Sequence, residues 1–135
     1  MPTLPPAGRP LAPDPDPDLA ADLAAEAAVD RSPPARLGPA GREQALRAVP
    51  DWQYDEARGG IRRIFRFADF PAAFAFMTAV AAVAEAHRHH PEWTNVYNRV
   101  DVLWTTHDCG GLSALDIELA AAMDGLYRAA PGGER

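Results

Sequence analysis

Apolar residues at helical spacing predict the longest element of the chain. Between residues 70 and 86 they recur every three or four positions, at Phe70, Phe74, Met77, Ala81 and Ala84. Asp69 can cap the first turn, and Pro71 is tolerated there because the first backbone N–H groups of a helix have no intrahelical partner. The pattern therefore predicts a helix that ends near Ala86.

Alternation of apolar and polar residues with a period of two predicts a strand pair on each side of this helix. The first pair joins strands at 52–55 and 61–67 through Gly59-Gly60, which can supply the positive φ of a tight turn. The second pair joins strands at 93–98 and 100–106. On the last strand Leu103 falls on the outward face, which hints at a subunit contact.

Two further helices are predicted at the ends of this arrangement. One covers residues 39–49 and is stopped by Pro50. The other begins at Ser113, where Asp116 three residues later completes a capping box. The order helix, hairpin, helix, hairpin, helix predicts an α+β fold (αββαββα), in which a four-stranded antiparallel sheet has three helices packed on one face.

The composition changes sharply along the chain and predicts its domain boundaries. Residues 1–34 hold nine of the fourteen prolines and are rich in Ala and Asp, so we expect a disordered tail with at most a short helix at 18–29. The folded domain is predicted at 35–130. The Pro-Gly-Gly sequence that follows predicts a disordered end at 131–135.

Charge and cysteine content narrow the classes of partner. The net charge is −6, and the chain has no lysine, so we do not expect nucleic-acid binding, which needs clustered cations. No apolar run approaches the roughly 20 residues that span a bilayer, and the start lacks the pattern of a secretion signal. The single cysteine, Cys109, fits a reducing compartment. We expect a cytoplasmic protein with no membrane partner.

All four histidines lie within residues 85–111, at His87, His89, His90 and His107. A hairpin over 91–106 would bring the last of them back toward the others. Imidazoles exchange protons near neutral pH, so acid–base catalysis is the favoured interpretation. Zinc binding and chance clustering on a solvated surface are the alternatives, although neighbouring His89 and His90 diverge in direction and no cysteine pair supports a metal site. Glu85 either orients a histidine or is solvated.

The segment from Glu85 onward closely resembles the pterin-4a-carbinolamine dehydratase family. The residues that carry the resemblance are Glu85, His89-His90-Pro91, Trp93, Asn95-Val96-Tyr97-Asn98, Thr106-His107, Cys109, Gly111-Leu112-Ser113 and Asp116. Upstream, FRFADFPAAFAFMTAVA at 65–81 is similar to the family's second strand and long helix. The resemblance covers about residues 37–130.

The resemblance implies dehydration of 4a-hydroxytetrahydropterin to quinonoid dihydropterin, in support of tetrahydrobiopterin recycling, with no metal and no cofactor. His89 and His107 would exchange protons at C4a, and His90 would orient the pterin ring. Further contacts to the pterin would come from Arg88, Thr105, Thr106 and Asp108. Supporting positions would be Glu85, Asp116, Trp93 in the core and Cys109 in the pocket wall.

The resemblance also implies a homodimer or homotetramer, because the family forms such assemblies. Two other functions stay open. Some family members dimerise a transcription factor through a helical surface, so the domain could be an interaction module. Alternatively, the protein could bind a pterin without turning it over.

Overall fold

A computed structural model describes residues 34–134 of the chain. The tail predicted at 1–34, except for its last residue, and the helix predicted at 18–29 lie outside this range. The elements in order are α1 (Pro39–Leu46), β1 (Gln53–Asp55), β2 (Gly60–Phe67), α2 (Phe70–Ala86), β3 (Glu92–Val96), β4 (Arg99–Trp104), a 3₁₀ turn (His107–Cys109), α3 (Ala114–Ala129) and β5 (Gly133–Glu134). None of the helices in 34–134 has the length and hydropathy to cross a membrane.

The sheet is antiparallel and open, in the order β1-β2-β4-β3. The central pair β2–β4 aligns Ile61 with Trp104 and Phe65 with Val100. The predicted glycine turn is present, since Gly59 has a φ of +65°, whereas Gly60 already lies in β2. The α+β fold with three helices and an antiparallel sheet is therefore confirmed.

The core lies between the helices and one face of the sheet. Its centre is an aromatic cluster, in which the Phe65 ring lies 4.9 Å from both the Phe76 ring of α2 and the Tyr127 ring of α3. Phe67 packs on the same two rings. Full burial of one such side chain stabilises a fold by about 1.5–3 kcal/mol, so this cluster holds both long helices on the sheet.

A buried ion pair ties α3 to the first hairpin. The Asp124 carboxylate accepts hydrogen bonds from the Trp52 indole at 2.8 Å and from the Arg63 guanidinium at 2.5 Å. The same guanidinium lies 4.5 Å from the centre of the Phe65 ring. Because the carboxylate is buried, its loss would leave the indole N–H without its acceptor and the guanidinium with only the exposed Asp51 at 3.6 Å as a carboxylate partner among the described residues.

The end of the chain differs from the prediction. In place of a disordered end at 131–135, Gly133–Glu134 form a short strand that pairs with Phe67 and Arg66 of β2. The Tyr127 hydroxyl lies against the carbonyls of Arg66 and Glu134 and can donate its single proton to either, so this buried side chain holds the segment in place. Local composition does not reveal such an anchor, because Tyr127 belongs to the preceding helix.

Two further differences concern single elements. The first helix ends at Leu46, three residues earlier than predicted, and the following residues form i→i+3 turns up to Val49. The prediction that Leu103 is exposed is wrong, because this side chain is only 1% accessible. Its neighbours across the strands are Arg62 and Glu92, whose long side chains flank it on the helix-free face. Leu103 therefore gives no indication of a subunit contact.

The helix-free face of the sheet carries a strong ion pair. Arg62 donates two hydrogen bonds to Asp101, at 2.8 and 2.5 Å. These hydrogen bonds lower the pKa of the Asp101 carboxyl below its usual value, and the same contacts raise the pKa of Arg62. Both side chains therefore stay charged at neutral pH, and this face of the sheet is polar.

Candidate active site

The end of α2 sets the position of His89 and His90, which together with His107 are called the motif histidines. The Arg88 N–H donates to the Glu85 carbonyl at 3.0 Å, and the His89 N–H donates to the Ala84 carbonyl at 3.1 Å. This pair of bonds is a Schellman motif, whose left-handed position usually holds glycine. Here Arg88 occupies it with a φ of +51°. A residue with a side chain costs about 1–2 kcal/mol in this conformation, and Tyr97 in the β3–β4 turn adopts a similar one with a φ of +50°.

His89 is held by a buried carboxylate. Its Nε2–H donates to Asp116 Oδ1 at 2.5 Å, with the His89 side chain 13% exposed and that of Asp116 fully buried. The imidazole also stacks on the Trp104 ring, with 5.5 Å between centroids and 23° between planes. The orientation of this imidazole is therefore determined by three packed elements, α2, β4 and α3.

Asp116 reaches this position through the capping box of α3, which the structure confirms. Its Oδ2 accepts the Ser113 N–H at 2.9 Å and the Thr106 hydroxyl at 2.7 Å. The Thr106 hydroxyl lies 2.8 Å from the Ser113 hydroxyl as well. One carboxylate oxygen thus closes the helix start, and the other binds His89, so the cap also serves the site.

His107 lies on the opposite side of the hairpin end and is much more exposed. It opens the 3₁₀ turn after β4, which a bridge between Thr106 and Gly111 closes. Its Nε2–H donates to Glu92 Oε1 at 2.9 Å, and the other oxygen of Glu92 lies 3.7 Å from the Arg58 guanidinium. Sequence reasoning missed Glu92 and Arg58. The available signal was the position of Glu92, two residues after His90 at the start of the strand that leads back to His107.

His90 and His87 differ in what holds their rings. The Nε2 atom of His90 lies 3.4 Å from Glu85 Oε1, so the carboxylate predicted to orient a histidine does contact one. His87 instead donates from Nδ1 to the Val83 carbonyl at 2.9 Å, and its Nε2 lies 3.5 Å from Glu118. Both ring nitrogens of His87 therefore have a partner, whereas in the described part of the chain His90 has one on Nε2.

The remaining predicted positions line or support the same hairpin end. The Thr105 hydroxyl donates to the Gly59 carbonyl at 2.7 Å, so it anchors the hairpin end to the first turn. Asp108 is exposed beside His107, and Trp93 is half-buried against the core. The Cys109 Sγ lies 3.4 Å from the carbonyls of Thr106 and Gly111. Within residues 34–134, no group of three or more His, Cys, Asp or Glu side chains is arranged to hold a metal ion.

The three motif histidines thus share one feature of geometry. In the described part of the chain each has its Nε2 beside a carboxylate, and none of the three hydrogen-bonds another. Both segments that carry them flank the same end of the β3–β4 hairpin, since Glu92 aligns with Leu103. Each of these imidazoles therefore has a carboxylate that can accept a proton from its Nε2–H.

Comparison with known proteins identifies related chains over this region. The sequence model of a family described as "Pterin 4 alpha carbinolamine dehydratase" matches residues 35–126. A protein from Rhizorhabdus wittichii that is provisionally named pterin-4-alpha-carbinolamine dehydratase is 61% identical over 85 residues, which cover 63% of this chain and 88% of the relative. A protein from Bradyrhizobium diazoefficiens with the same provisional name is 52% identical over 97 residues, which cover 72% of this chain and 97% of the relative.

A solved structure is similar as well. The crystal structure of a transcriptional coactivator/pterin dehydratase from Brucella melitensis superposes with a TM-score of 0.65 at 46% sequence identity. The match covers 67% of this chain and 97% of the solved one.

Proposed function

The chain belongs to the pterin 4 alpha carbinolamine dehydratase family, and we propose that it removes water from 4a-hydroxytetrahydropterin to give quinonoid dihydropterin. Histidine side chains act as the acid and the base in this hydro-lyase reaction. The product can be reduced back to the tetrahydro form, so the activity supports tetrahydrobiopterin recycling in the cytoplasm.

The observation that carries this proposal is the pair formed by His89 and Asp116. The carboxylate accepts the proton on Nε2 at 2.5 Å, so Nδ1 is the nitrogen left to exchange a proton with a substrate. A buried carboxylate that fixes the tautomer and the orientation of an imidazole is typical of general acid–base catalysis. The ring of Trp104 beneath the imidazole adds to this orientation.

The chemistry of the carbinolamine requires one proton donor and one proton acceptor. The donor protonates the hydroxyl on C4a, the C4a–O bond breaks and water leaves. The acceptor takes the proton from N5, whose electron pair forms the new double bond to C4a. Nothing is oxidised or reduced, and the protein ends with as many protons as it began. Two histidines on either side of C4a are sufficient for this exchange.

We assign the two proton transfers to His89 and His107, and the orientation of the pterin ring to His90. Arg88 and Asp108, which are exposed beside these histidines, supply further contacts to the substrate. The contribution of Thr105 and Thr106 is different, because their hydroxyls bond within the protein. Thr106 holds Asp116, and Thr105 holds the end of the hairpin.

The expected activity can be measured directly. Wild-type protein should accelerate the dehydration of 4a-hydroxytetrahydropterin, whether synthetic or generated enzymatically, above the uncatalysed reaction. A stopped-flow absorbance experiment with and without protein gives the two rates. Equal rates would contradict the proposal, and binding of the pterin without acceleration would instead support a protein that binds but does not turn over.

A second candidate function is an interaction module, and the exposed face of α2 favours it. From Phe70 to Ala84 this helix carries no charged residue. Phe70 and Phe74 are 44% and 55% exposed, and their rings lie 5.6 Å apart. The name of the Brucella relative combines a transcriptional coactivator with a pterin dehydratase. A helical, apolar surface is the kind that dimerisation cofactors use.

The same surface predicts self-association. We expect at least a dimer at micromolar concentration, because large exposed aromatic side chains on a charge-free helix are stabilised by burial against a second copy. Sedimentation velocity checks this, and a single species of 14.5 kDa would contradict it. Phe74→Glu should lower the mass toward that of the monomer, whereas Tyr97→Glu, at an exposed aromatic position in the β3–β4 turn, serves as the matched control.

A further inference from the structure

Each of the three motif histidines has its Nε2 beside a carboxylate, but the carboxylates differ in how they are held. Asp116 is fully buried and fixed by backbone and hydroxyl donors. Glu85 lies at 3.4 Å from His90, with both side chains more than half exposed. Glu92 is intermediate, since it lies at 2.9 Å from His107 and is 46% exposed.

His107 depends on Glu92 for its orientation more than His89 depends on any single partner. Its side chain is 76% exposed, and it belongs to a three-residue turn, so packing leaves the ring free to rotate. In the described part of the chain, Glu92 is the residue that hydrogen-bonds this ring. Glu92 itself is placed by the β3–β4 ladder, where it aligns with Leu103, and by Arg58 on its other oxygen.

We infer that Glu92 is a positioning residue for the dehydration, which holds His107 in the tautomer with the proton on Nε2 and leaves Nδ1 to exchange a proton with the pterin. This inference rests on the proposed function. A carboxylate accepts only, so it selects the neutral tautomer with the proton on Nε2 over the one with the proton on Nδ1. Arg58 keeps the Glu92 side chain extended toward His107 rather than toward solvent.

The energetic role of this contact is orientation rather than stability. An exposed ion pair contributes little to folding, so its loss leaves the fold intact. Removal of a residue that hydrogen-bonds the non-reacting nitrogen of a functional imidazole typically lowers the activity of the site by about 10–100-fold. Glu92 can therefore be removed without the unfolding that complicates a buried carboxylate.

The test combines kinetics with a spectroscopic measurement on Glu92→Ala and Glu92→Gln. We expect kcat of Glu92→Ala to fall about tenfold with KM within about twofold, because the contact aligns the proton transfer and does not bind the substrate. Glu92→Gln should be less affected, since its amide oxygen still accepts the Nε2–H. Glu118→Ala is the matched control, because Glu118 is an exposed glutamate 3.5 Å from His87, and its kcat should be unchanged.

Long-range ¹H–¹⁵N correlation spectra of the histidine rings give the second measurement. Wild-type His107 should show the Nε2–H tautomer, Glu92→Ala a mixture of both tautomers, and Glu118→Ala the wild-type pattern. An unchanged His107 spectrum in Glu92→Ala, or a loss confined to KM, would overturn the inference even in an active enzyme. If the wild-type protein shows no dehydration at all, the proposed function fails, and a tautomer change in Glu92→Ala still supports the positioning of His107.

Discussion

Asp116→Asn should lower kcat for dehydration by about 100-fold while the protein stays folded. The Asn oxygen can take the place of Oδ2 and keep the bonds from the Ser113 N–H and the Thr106 hydroxyl. Its NH₂ group then faces His89 and requires Nε2 to accept, so the imidazole is forced into the wrong tautomer. In a serine protease triad the same change lowers kcat by about 10⁴, and we expect less here because a second histidine shares the work.

Asp116→Ala should be more damaging, because it leaves the Ser113 backbone N–H and the His89 imidazole without their acceptor, and the Thr106 hydroxyl with only the Ser113 hydroxyl. Removal of one partner from a buried charged pair costs about 3–5 kcal/mol. Thermal unfolding of Asp116→Asn and Asp116→Ala separates a loss of stability from a loss of kcat. Asp124→Asn is the matched control, since it alters a buried carboxylate bonded to Trp52 and Arg63 rather than to a histidine. It should lower stability without lowering kcat, and a loss of kcat equal to that of Asp116→Asn would contradict the role assigned to Asp116.

The double variant His89→Ala/His107→Ala should lose far more activity than either single variant. Loss of one general acid or base costs about 10²–10⁴ in rate, and we expect the low end for each single change because the two imidazoles share the work. Both single variants should show the loss in kcat. Stopped-flow measurement of kcat and KM, with unfolding curves to verify folding, provides the test.

His90→Ala and His87→Ala complete this series. His90→Ala should chiefly raise KM, because a contact that binds the substrate and the transition state equally well affects binding and leaves kcat unchanged. His87→Ala should do little, since the Nδ1 of this ring already bonds to the Val83 carbonyl and its Nε2 contacts Glu118. If His87→Ala were as damaging as His107→Ala, the roles assigned to the individual histidines would be wrong, whereas the family membership would stand.

Much of the fold follows from local patterns in the chain. The helix at 70–86 has the predicted bounds because its Asp69 cap and its proline lie within the element itself. The predicted apolar stripe is wrong as the buried face, because of its five residues only Ala84 is buried, whereas Phe70 and Phe74 are exposed. The capping box of Ser113 and Asp116 is equally local and is confirmed. The first helix was predicted too long, because its apolar residue Val49 is buried by packing of the turn and not of the helix.

The histidine positions could also be predicted from the sequence, since His89, His90 and His107 lie within one short segment, residues 85–111. The carboxylates that contact these histidines could be predicted only in part. Asp116 and Glu85 were named as supporting residues, and each contacts a histidine. Glu92 was missed, because its position two residues after His90 points to His107 only once the strand register of the β3–β4 hairpin is known.

Local sequence is therefore enough to predict the order of helices and strands, the turns and caps, and the histidine positions, because these depend on neighbours within a few positions. The tertiary structure was needed to show that one carboxylate of α3 contacts an imidazole 27 positions earlier, that Leu103 is buried, and that Gly133–Glu134 pair with β2. Such contacts depend on the packing of side chains from distant elements and on strand register, since a one-residue change of register would move a strand residue such as Leu103 to the other face of the sheet.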